Sequence, residues 1–181
     1  MKKEHQSATV LTGKDTRLSR KKRKGIAQQV SKALRAHPDR MRQLSIGDVF
    51  RSIANGNASL TFAKEGIIRT GRLAAFAHVI PAMEELGAYE EGAVEVGAVV
   101  TLAEPGNGYA KNAVIEAIKI GERQGAKKVK TLVHVGNEAA NGLMRRLAGE
   151  PVRTRPSNYV IEANGTRAQM NEYVLWEAER I

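Results

Sequence analysis

Two stretches in the first third of the chain carry apolar residues at the three-to-four spacing of amphipathic helices. In the first, which begins near Ser19, the apolar positions are Ile26, Val30, Ala33 and Leu34. It should end at His37-Pro38, because the residue before a proline avoids helical backbone angles. In the second, the apolar positions are Ile46, Val49, Phe50 and Ile53, and Asn55-Gly56-Asn57 should end it. The pattern therefore predicts two helices before residue 58.

Beyond these helices, alternating and β-branched runs indicate extended chain. The predicted strands cover residues 59–64, 67–80, 93–102, 127–135, 158–162 and 168–176, with a short one at 8–11. Glu65-Gly66 and Asn164-Gly165 are predicted to be tight turns between neighbouring strands. An acidic connector over 83–91 precedes the valine-rich strand 93–102.

Two more helices are predicted between the later strands. The longer one carries Ala113, Val114, Ala117 and Ile118 at helical spacing and ends near Gln124, with Gly125 just past it. The shorter one follows Asn137, which can cap it, and closes at Gly149. Helices, antiparallel strands, a strand–helix–strand–helix unit and a hairpin thus follow one another. This order predicts an α/β (α+β) domain built on one mixed sheet and flanked by helices.

Composition narrows the class of protein. A chain of 181 residues is long enough for one well-formed core. It has no cysteine, which rules out disulfides and thiolate chemistry, and its four histidines have no ligand spacing, so no metal is expected. No apolar run approaches the roughly 20 residues that span a bilayer, and the first lysines are not followed by an apolar segment. We expect a cytoplasmic protein with no membrane contact.

Positive charge is concentrated at the start of the chain, whose net charge is +10. Residues 1–45 hold 13 Lys and Arg against 3 Asp and Glu, whereas residues 46–181 hold 16 of each kind. The densest run is Arg20-Lys21-Lys22-Arg23-Lys24. Such a run is most often solvated, and residues 1–24 are predicted to be a mobile basic segment. The alternative is that residues 1–45 contact nucleic acid, the ribosome or another acidic surface.

The candidate chemistry begins at the glycine turn Pro105-Gly106-Asn107-Gly108-Tyr109-Ala110, between strand 93–102 and the next helix. A glycine turn that opens a helix leaves backbone N–H groups unpaired and pointing at one place, and the helix dipole adds positive potential there. Such a place suits a phosphate group. A plain strand-to-helix turn is the alternative interpretation of the same glycines.

Two motifs in this part of the chain resemble those of the GCN5-related N-acetyltransferases, the GNAT superfamily. The family pattern Q/R-x-x-G-x-G/A is matched at Gly108 and Ala110, with Pro105 in place of the usual Arg or Gln. The later pattern N-x-x-A-x-x-L-Y-x-x-L-G is matched at Asn137, Ala140, Leu143 and Leu147, with Met144 in place of tyrosine. The resemblance covers roughly the C-terminal two-thirds of the chain and suggests a divergent GNAT-like acyl-CoA-binding domain over 25–181.

The resemblance implies that strands 93–102 and 127–135 splay apart in a mostly antiparallel sheet, with acetyl-CoA in the gap. Its pyrophosphate would lie on backbone N–H groups of the glycine turn, and its pantetheine arm would pair with the first splayed strand. The implied cofactor-binding residues are Val99, Val100, Thr101, Gly106, Asn107, Gly108, Tyr109, Ala110, Asn137 and Ala140. Asn137 is also a candidate N-cap, and both roles can hold at once.

Acetyl transfer to an amine needs a proton acceptor for the amine, and the leaving thiolate benefits from an acid. Family members with a recognised base often use a glutamate on the first splayed strand, where this chain has Glu95. The alternative is that Glu95 lies on a solvent-exposed face. The usual acid is the tyrosine that Met144 replaces, and a thioether cannot donate a proton. Tyr109, Tyr159 and Tyr173 are the candidate substitutes.

The resemblance implies an acetyltransferase that moves acetyl from acetyl-CoA to a primary amine of a small molecule or protein by direct attack. The acidic residues Glu84, Glu85, Glu90 and Glu91 would attract a cationic acceptor, although a solvated connector is the preferred interpretation. One alternative function is a degenerate GNAT-fold module whose basic segment binds nucleic acid or the ribosome. Another is a basic interaction protein of unrelated fold. The acceptor stays open, as does the oligomeric state, for which a homodimer is one candidate.

Overall fold

The computed structural model describes residues 9–12, 18–36, 45–62, 73–84, 87–102 and 106–178. Its elements are β1 (Thr9–Thr12), α1 (Arg20–Ala36), α2 (Ile46–Ala54), β2 (Ala58–Phe62), β3 (Leu73–Met83), β4 (Tyr89–Thr101), α3 (Tyr109–Arg123), β5 (Lys128–His134), α4 (Glu138–Ala148), β6 (Arg153–Ile161) and β7 (Arg167–Glu177). The strands form one 7-stranded sheet in the order β1-β2-β3-β4-β5-β7-β6. Every neighbouring pair is antiparallel except β4 and β5, which are parallel. The predicted mixed, mostly antiparallel sheet is confirmed.

Helices pack on both faces of this sheet. Phe76 and Ala77 are consecutive residues of β3, so their side chains point to opposite faces. Phe76 belongs to the core cluster that α1 and α2 form with β2 and β3. Ala77 belongs to the cluster that α3 forms with β3, β4 and β5. The pair α1 and α2 therefore covers one face, and α3 covers the other, where α4 packs farther along against β5 and β7.

The first two helices lie where the apolar spacing predicted them. In α1 the buried apolar side chains are Leu34, Val30, Ala27 and Ile26, which follow the helical period. The basic run Arg20–Lys24 forms the start of this helix, so the predicted boundary after residue 24 falls within it. In α2 the N-terminus carries a capping box, in which Ser45 Oγ accepts from the Asp48 N–H at 3.1 Å. No helix among the described residues is long and apolar enough to cross a membrane.

Three strands differ in extent from the prediction. β3 continues to Met83 and β4 begins at Tyr89, so both ends of the predicted acidic connector are strand. β6 begins at Arg153 and runs through Pro156, earlier than the predicted start at residue 158. Because β6 is an edge strand, a proline there removes no essential ladder bond. The predicted turn at Glu65-Gly66 lies outside the described residues, as does Pro105.

Candidate functional site

The strands β4 and β5 pair over a short distance and then separate. Their parallel register runs from Ala93 opposite Lys128 to Glu95 opposite Lys130. One residue farther along, the Val96 carbonyl accepts a hydrogen bond at 2.7 Å from the hydroxyl of Thr131, a β5 side chain. A side chain thus replaces the backbone partner at the branching point. The predicted splay between these two strands is confirmed, and β4 continues beyond it to residue 101.

Beyond the branching point, β4 carries a bulge. Phe76 pairs with Val100 and His78 pairs with Gly97, so two β4 residues lie opposite Ala77 alone. Bulges re-aim backbone groups and are frequent beside functional sites. Val99, in this bulge, packs against the clusters under α3 and α4. Thr101, at the end of the strand, is exposed and lies opposite Ala75. The predicted pantetheine-binding residues of β4 are thus brought together along one side of the gap.

The glycine turn meets the N-terminus of α3 with its backbone exposed. Gly106 and Gly108 have φ values of +91° and +74°, a conformation that glycine adopts without strain. A Cβ atom on either glycine would meet nothing within 4 Å, so open space lies over the turn. Gly108 is the N-cap and has no side chain with which to cap the N–H groups of the first helical turn. Asn107 is exposed beside them, and Ala110 is half-buried.

The start of α4 is fixed by two asparagines. Asn137 caps the helix, because its Oδ1 accepts from the Ala140 N–H at 3.1 Å. Asn141 is buried and donates from Nδ2 to the carbonyls of His134 at 2.9 Å and Asn137 at 2.8 Å. Its Oδ1 accepts from the hydroxyl of Tyr173 at 2.8 Å. These contacts hold the β5–α4 turn at the open end of the gap, with the predicted N-cap role of Asn137 confirmed.

The candidate acid–base residues occupy different surroundings. Glu95 is 6 % exposed, which excludes the solvent-facing alternative. Tyr109 lies in the core cluster under α3, and Tyr173 is fully buried beside Met144 in the cluster under α4. Burial raises the pKa of the Tyr173 hydroxyl. The backbone of Tyr159 belongs to β6, away from the other two on the edge of the sheet. The acid and base roles of these residues stay predictions.

A buried ionic cluster lies near Glu95 on β4, β5, β6 and β7. Lys130 has no exposed surface, and its Nζ contacts the carboxylates of Glu90 and, at 3.7 Å, Glu172. Glu172 in turn accepts from Arg155 Nε at 2.7 Å and from Arg153 Nη2 at 3.2 Å. Burial opposes ionisation of Glu172, but Lys130 and the two arginines outweigh it and hold the pKa of that carboxyl below its ordinary value.

Two glutamates of the predicted acidic connector, Glu84 and Glu90, form ion pairs with this cluster or beside it. Glu90 is bound by Lys128 at 2.9 Å and by Lys130, and these lysines lower its pKa despite the opposing effect of burial. Glu84 approaches Arg153 at 3.6 Å, and its carbonyl accepts from Asn158 at 2.6 Å. Glu91 is exposed, and Glu85 lies outside the described residues. These contacts favour a structural role for Glu84 and Glu90 over capture of a cationic acceptor.

Comparison with known proteins decides the family. The sequence pattern of the acetyltransferase (GNAT) family matches residues 28–149. The chain belongs to the GNAT family. No curated protein matches it. Among solved structures, NAA60 of Arabidopsis thaliana with a bisubstrate analogue has a TM-score of 0.65 at 17 % identity, over 96 % of this chain and 99 % of that one.

Two bacterial structures show the same GNAT fold. The yncA protein of Salmonella typhimurium, with its cofactor acetyl-CoA, has a TM-score of 0.65 at 14 % identity over 97 % of this chain and 98 % of that one. The ribosomal-protein-alanine N-acetyltransferase of Brucella melitensis has a TM-score of 0.62 at 13 % identity over 91 % and 96 %. Acetyl-CoA is the cosubstrate of the GNAT family. The open space over the exposed glycine turn and the separated strands of this chain fit that ligand.

Sequence reasoning missed the buried members of the site. Lys130 and Glu172 are buried, and the sequence led to no prediction for either, because charged side chains are rarely buried. Asn141 lies within the second GNAT motif at a position that the motif leaves variable. A signal was present for Glu172, because it alternates with Met170 and Val174 on one strand face, and a lone charge among apolar residues of one face is typical of a paired, buried ion.

Proposed function

We propose that this GNAT protein transfers the acetyl group of acetyl-CoA to a primary amine of a small molecule or protein by direct attack. Two observations carry the proposal and mark the path of the cosubstrate: the exposed glycine turn at the N-terminus of α3 and the gap between β4 and β5. Gly106 and Gly108 leave open space at a helix N-terminus, and β4 passes beyond the end of its pairing with β5. An anion and an extended arm are the two features that such a path accommodates.

Each part of this path has a proposed task. The backbone N–H groups of residues 106–110 hold the pyrophosphate, because glycine allows the backbone to approach an anion closely. The backbone of Val99, Val100 and Thr101 pairs with the pantetheine arm. An N–H in the bulge donates to the thioester oxygen as negative charge develops there. When bound, the cosubstrate supplies the activated acetyl group.

We place the proton transfer on the face of β4 that points away from α3. Glu95 lies there, buried, and takes part in removing the proton of the acceptor amine. Met144 fills apolar space beside Tyr173 and has no proton to donate. The thiolate leaves without a tyrosine at that position, because a thiol has an ordinary pKa of about 8.5 and is a tolerable leaving group.

Binding of the cosubstrate gives the first test. Acetyl-CoA at about 100 times its dissociation constant should raise the free energy of unfolding by about 2.7 kcal/mol, measured by urea unfolding. Gly108→Glu should abolish this increase, since it places a carboxylate where the phosphate binds. Gly165→Glu is the matched control, because Gly165 also has a positive φ of +84° with nothing within 4 Å. No stabilisation of the unchanged protein at millimolar acetyl-CoA contradicts the proposal.

Turnover gives the second test, by release of free thiol from acetyl-CoA in the presence of single amines. The probes are a peptide with a free N-terminal alanine, L-lysine and spermidine. The peptide is included because the Brucella melitensis neighbour is a ribosomal-protein-alanine N-acetyltransferase. We expect at least one amine to accelerate thiol release above the rate in buffer alone. Equal rates with every amine and in buffer would argue for a binding module.

A second candidate function, contact with RNA, is favoured by α1. Its exposed side chains include Arg20, Lys21, Lys24, Lys32 and Arg35, and its first turn contains no acidic residue. Arg20, Lys21, Lys24 and Lys32 form no ion pair within the described residues. Exposed lysine and arginine side chains of this kind can contact the phosphate backbone of RNA without recognising its bases.

The RNA contact predicts a steep salt dependence. The logarithm of the affinity for a single-stranded RNA should fall linearly with the logarithm of salt concentration, with a slope of about −0.7 for each phosphate contacted. Reversal of charge at Lys21, Lys24 and Lys32 should remove about three such contacts. Lys119→Glu on α3 is the control and should leave the slope unchanged. Binding that does not depend on salt, or that survives the triple change, contradicts this candidate.

A further inference from the structure

His78 is a buried titratable side chain that the tasks above leave unused. It lies in β3 with 4 % of its surface exposed, and its ring centroid is 5.9 Å from that of Phe76. On the neighbouring strands it lies opposite Ala58 of β2 and Gly97 of β4. Neither of those two residues carries a titratable group, and the next residue of β4 on the same face that does is Glu95, two positions before Gly97.

The ring of His78 extends across to β4. A Cβ atom placed on Gly97 would lie 3.1 Å from His78 Nε2 and 3.5 Å from His78 Cδ2. A side chain at residue 97 would therefore be tight against the imidazole, which would have to give by a few tenths of an ångström. A glycine inside a strand weakens it, and often marks a close approach by another group. Here the group that approaches is the Nε2 edge of an imidazole.

This edge lies where β4 leaves β5. The β4–β5 pairing ends at Glu95, Gly97 follows two residues later, and the bulge begins directly after it. Because side chains alternate along a strand, Glu95 and Gly97 share a face, and Glu95 lies diagonal to His78 across the β3–β4 pair. A carboxylate and an imidazole, both nearly buried, thus share one face of the sheet at the branching point.

We propose that His78 is a catalytic residue that takes the proton of the acceptor amine, with Glu95 stabilising the imidazolium that forms. This inference rests on the proposed acetyl transfer. The amine nitrogen forms the C–N bond to the acetyl carbon, the C–S bond breaks, and its electron pair leaves on the thiolate sulfur. The proton lost by the nitrogen moves to His78 Nε2. Histidine suits this step, because its ordinary pKa lies closest to neutral pH among the side chains.

The first test observes the ring itself and needs no acceptor. Ring proton signals of the histidines are recorded by NMR, and that of His78 is identified by its loss in His78→Gln. Acetyl-CoA should shift the His78 signal, whereas 3′-phospho-ADP, which has the pyrophosphate but no thioester arm, should leave it in place. A His78 signal that stays unchanged while acetyl-CoA stabilises the protein overturns the inference alone. Absence of any stabilisation overturns the proposed function with it.

The second test measures turnover with the most active of the three amine probes. His78→Gln should lower kcat about 100-fold or more and change the KM for acetyl-CoA less than about twofold. Glu95→Gln should lower kcat as well, and the double variant should lose less than the product of the two effects, because the residues act as a unit. A kcat for His78→Gln within about threefold of the unchanged protein overturns the role.

Gly97→Ala tests the geometry without changing a titratable group. Its methyl group would lie 3.1 Å from His78 Nε2, so the ring is displaced by a few tenths of an ångström and kcat should fall while acetyl-CoA binding persists. Gly25→Ala on α1 is the matched control, because a Cβ there meets nothing within 4 Å. Equal kcat values for the two glycine variants would mean that the position of the His78 ring does not matter to turnover.

Discussion

On the face of β4 and β5 that α3 covers, Val94, Val96 and Val129 pack against the helix with no charge among them. On the opposite face of the same two strands, Glu95 and Lys130 are buried and lie opposite each other in the register. The alternation of a β-strand produces both surfaces from one stretch of sequence. One face fixes the distance between helix and sheet, and the other holds charges in fixed positions beside the gap.

Two kinds of stabilisation therefore act on the two faces of the same pair of strands. On the apolar face, a change is felt through volume, since the helix approaches closely at Gly121. On the charged face, a change is felt through the partners left behind, because a buried ion without its counter-ion is costly. The charged face also carries His78 and Glu95, the two buried residues proposed to handle the proton of the acceptor amine.

The largest expected effect is from Lys130→Met on the charged face. The change leaves Glu90 and Glu172 without their shared cation, and loss of one partner from a buried ion pair costs about 3–5 kcal/mol. We expect the lower end, because Lys128 still binds Glu90 and Arg155 still binds Glu172. Urea unfolding at pH 7 measures it. Lys128→Met, at the rim of the cluster, should cost under about 1 kcal/mol, and equal losses would contradict the comparison.

Of the two faces of β4 and β5, only the charged one should lose stability in acid. The pKa values of Glu90 and Glu172 are lowered in the folded protein, since their cationic partners outweigh the opposing effect of burial. Each carboxylate therefore contributes stability that is fully present above its unfolded-state pKa and is lost as pH falls through the folded-state pKa. The contribution of Glu90 and Glu172 to the free energy of unfolding should hold steady from pH 8 to about 5 and fall below that. The difference in the free energy of unfolding between Glu172→Gln and the unchanged protein should narrow below about pH 5. A difference that stays constant with pH would contradict this role of Glu172.

The sequence predicted the apolar face better than the charged one, for a physical reason. Valine is apolar, so packing against a helix is predictable for Val94, Val96 and Val129 from residue type alone. The glycine turn and the Asn137 cap depend only on neighbours in the chain. The burial of Lys130 depends on Glu90 and Glu172, which lie 40 and 42 positions away in the chain. Local pattern cannot show such a partner. For the same reason the start of β4 was predicted to be part of a connector. Glu90 belongs to a strand there because it pairs with Lys128 and Lys130, which are distant in the chain.

On the apolar face, Gly121→Ala should be destabilising despite the higher helix propensity of alanine. Its Cβ would lie 2.9 Å from Cγ2 of Val129 and 2.9 Å from Cγ2 of Val94, and overpacking costs about 1–3 kcal/mol. Gly142→Ala within α4 is the matched control, because nothing lies within 4 Å of its added Cβ. It should gain about 0.5–1 kcal/mol. Thermal unfolding of both variants checks the sign, and stabilisation by both would show that α3 has room to move from the sheet.

The smallest effects compare two helix caps, one at the gap and one remote from it. Asn137→Ala removes the acceptor of the Ala140 N–H and Ser45→Ala removes that of the Asp48 N–H, each at a cost of about 1 kcal/mol. Equal losses in urea unfolding are therefore expected. Acetyl-CoA binding should distinguish them, because Asn137 lies at the open end of the gap whereas Ser45 caps α2 against β2. If both variants bind acetyl-CoA as tightly as the unchanged protein, Asn137 is a helix cap and has no part in holding the cosubstrate.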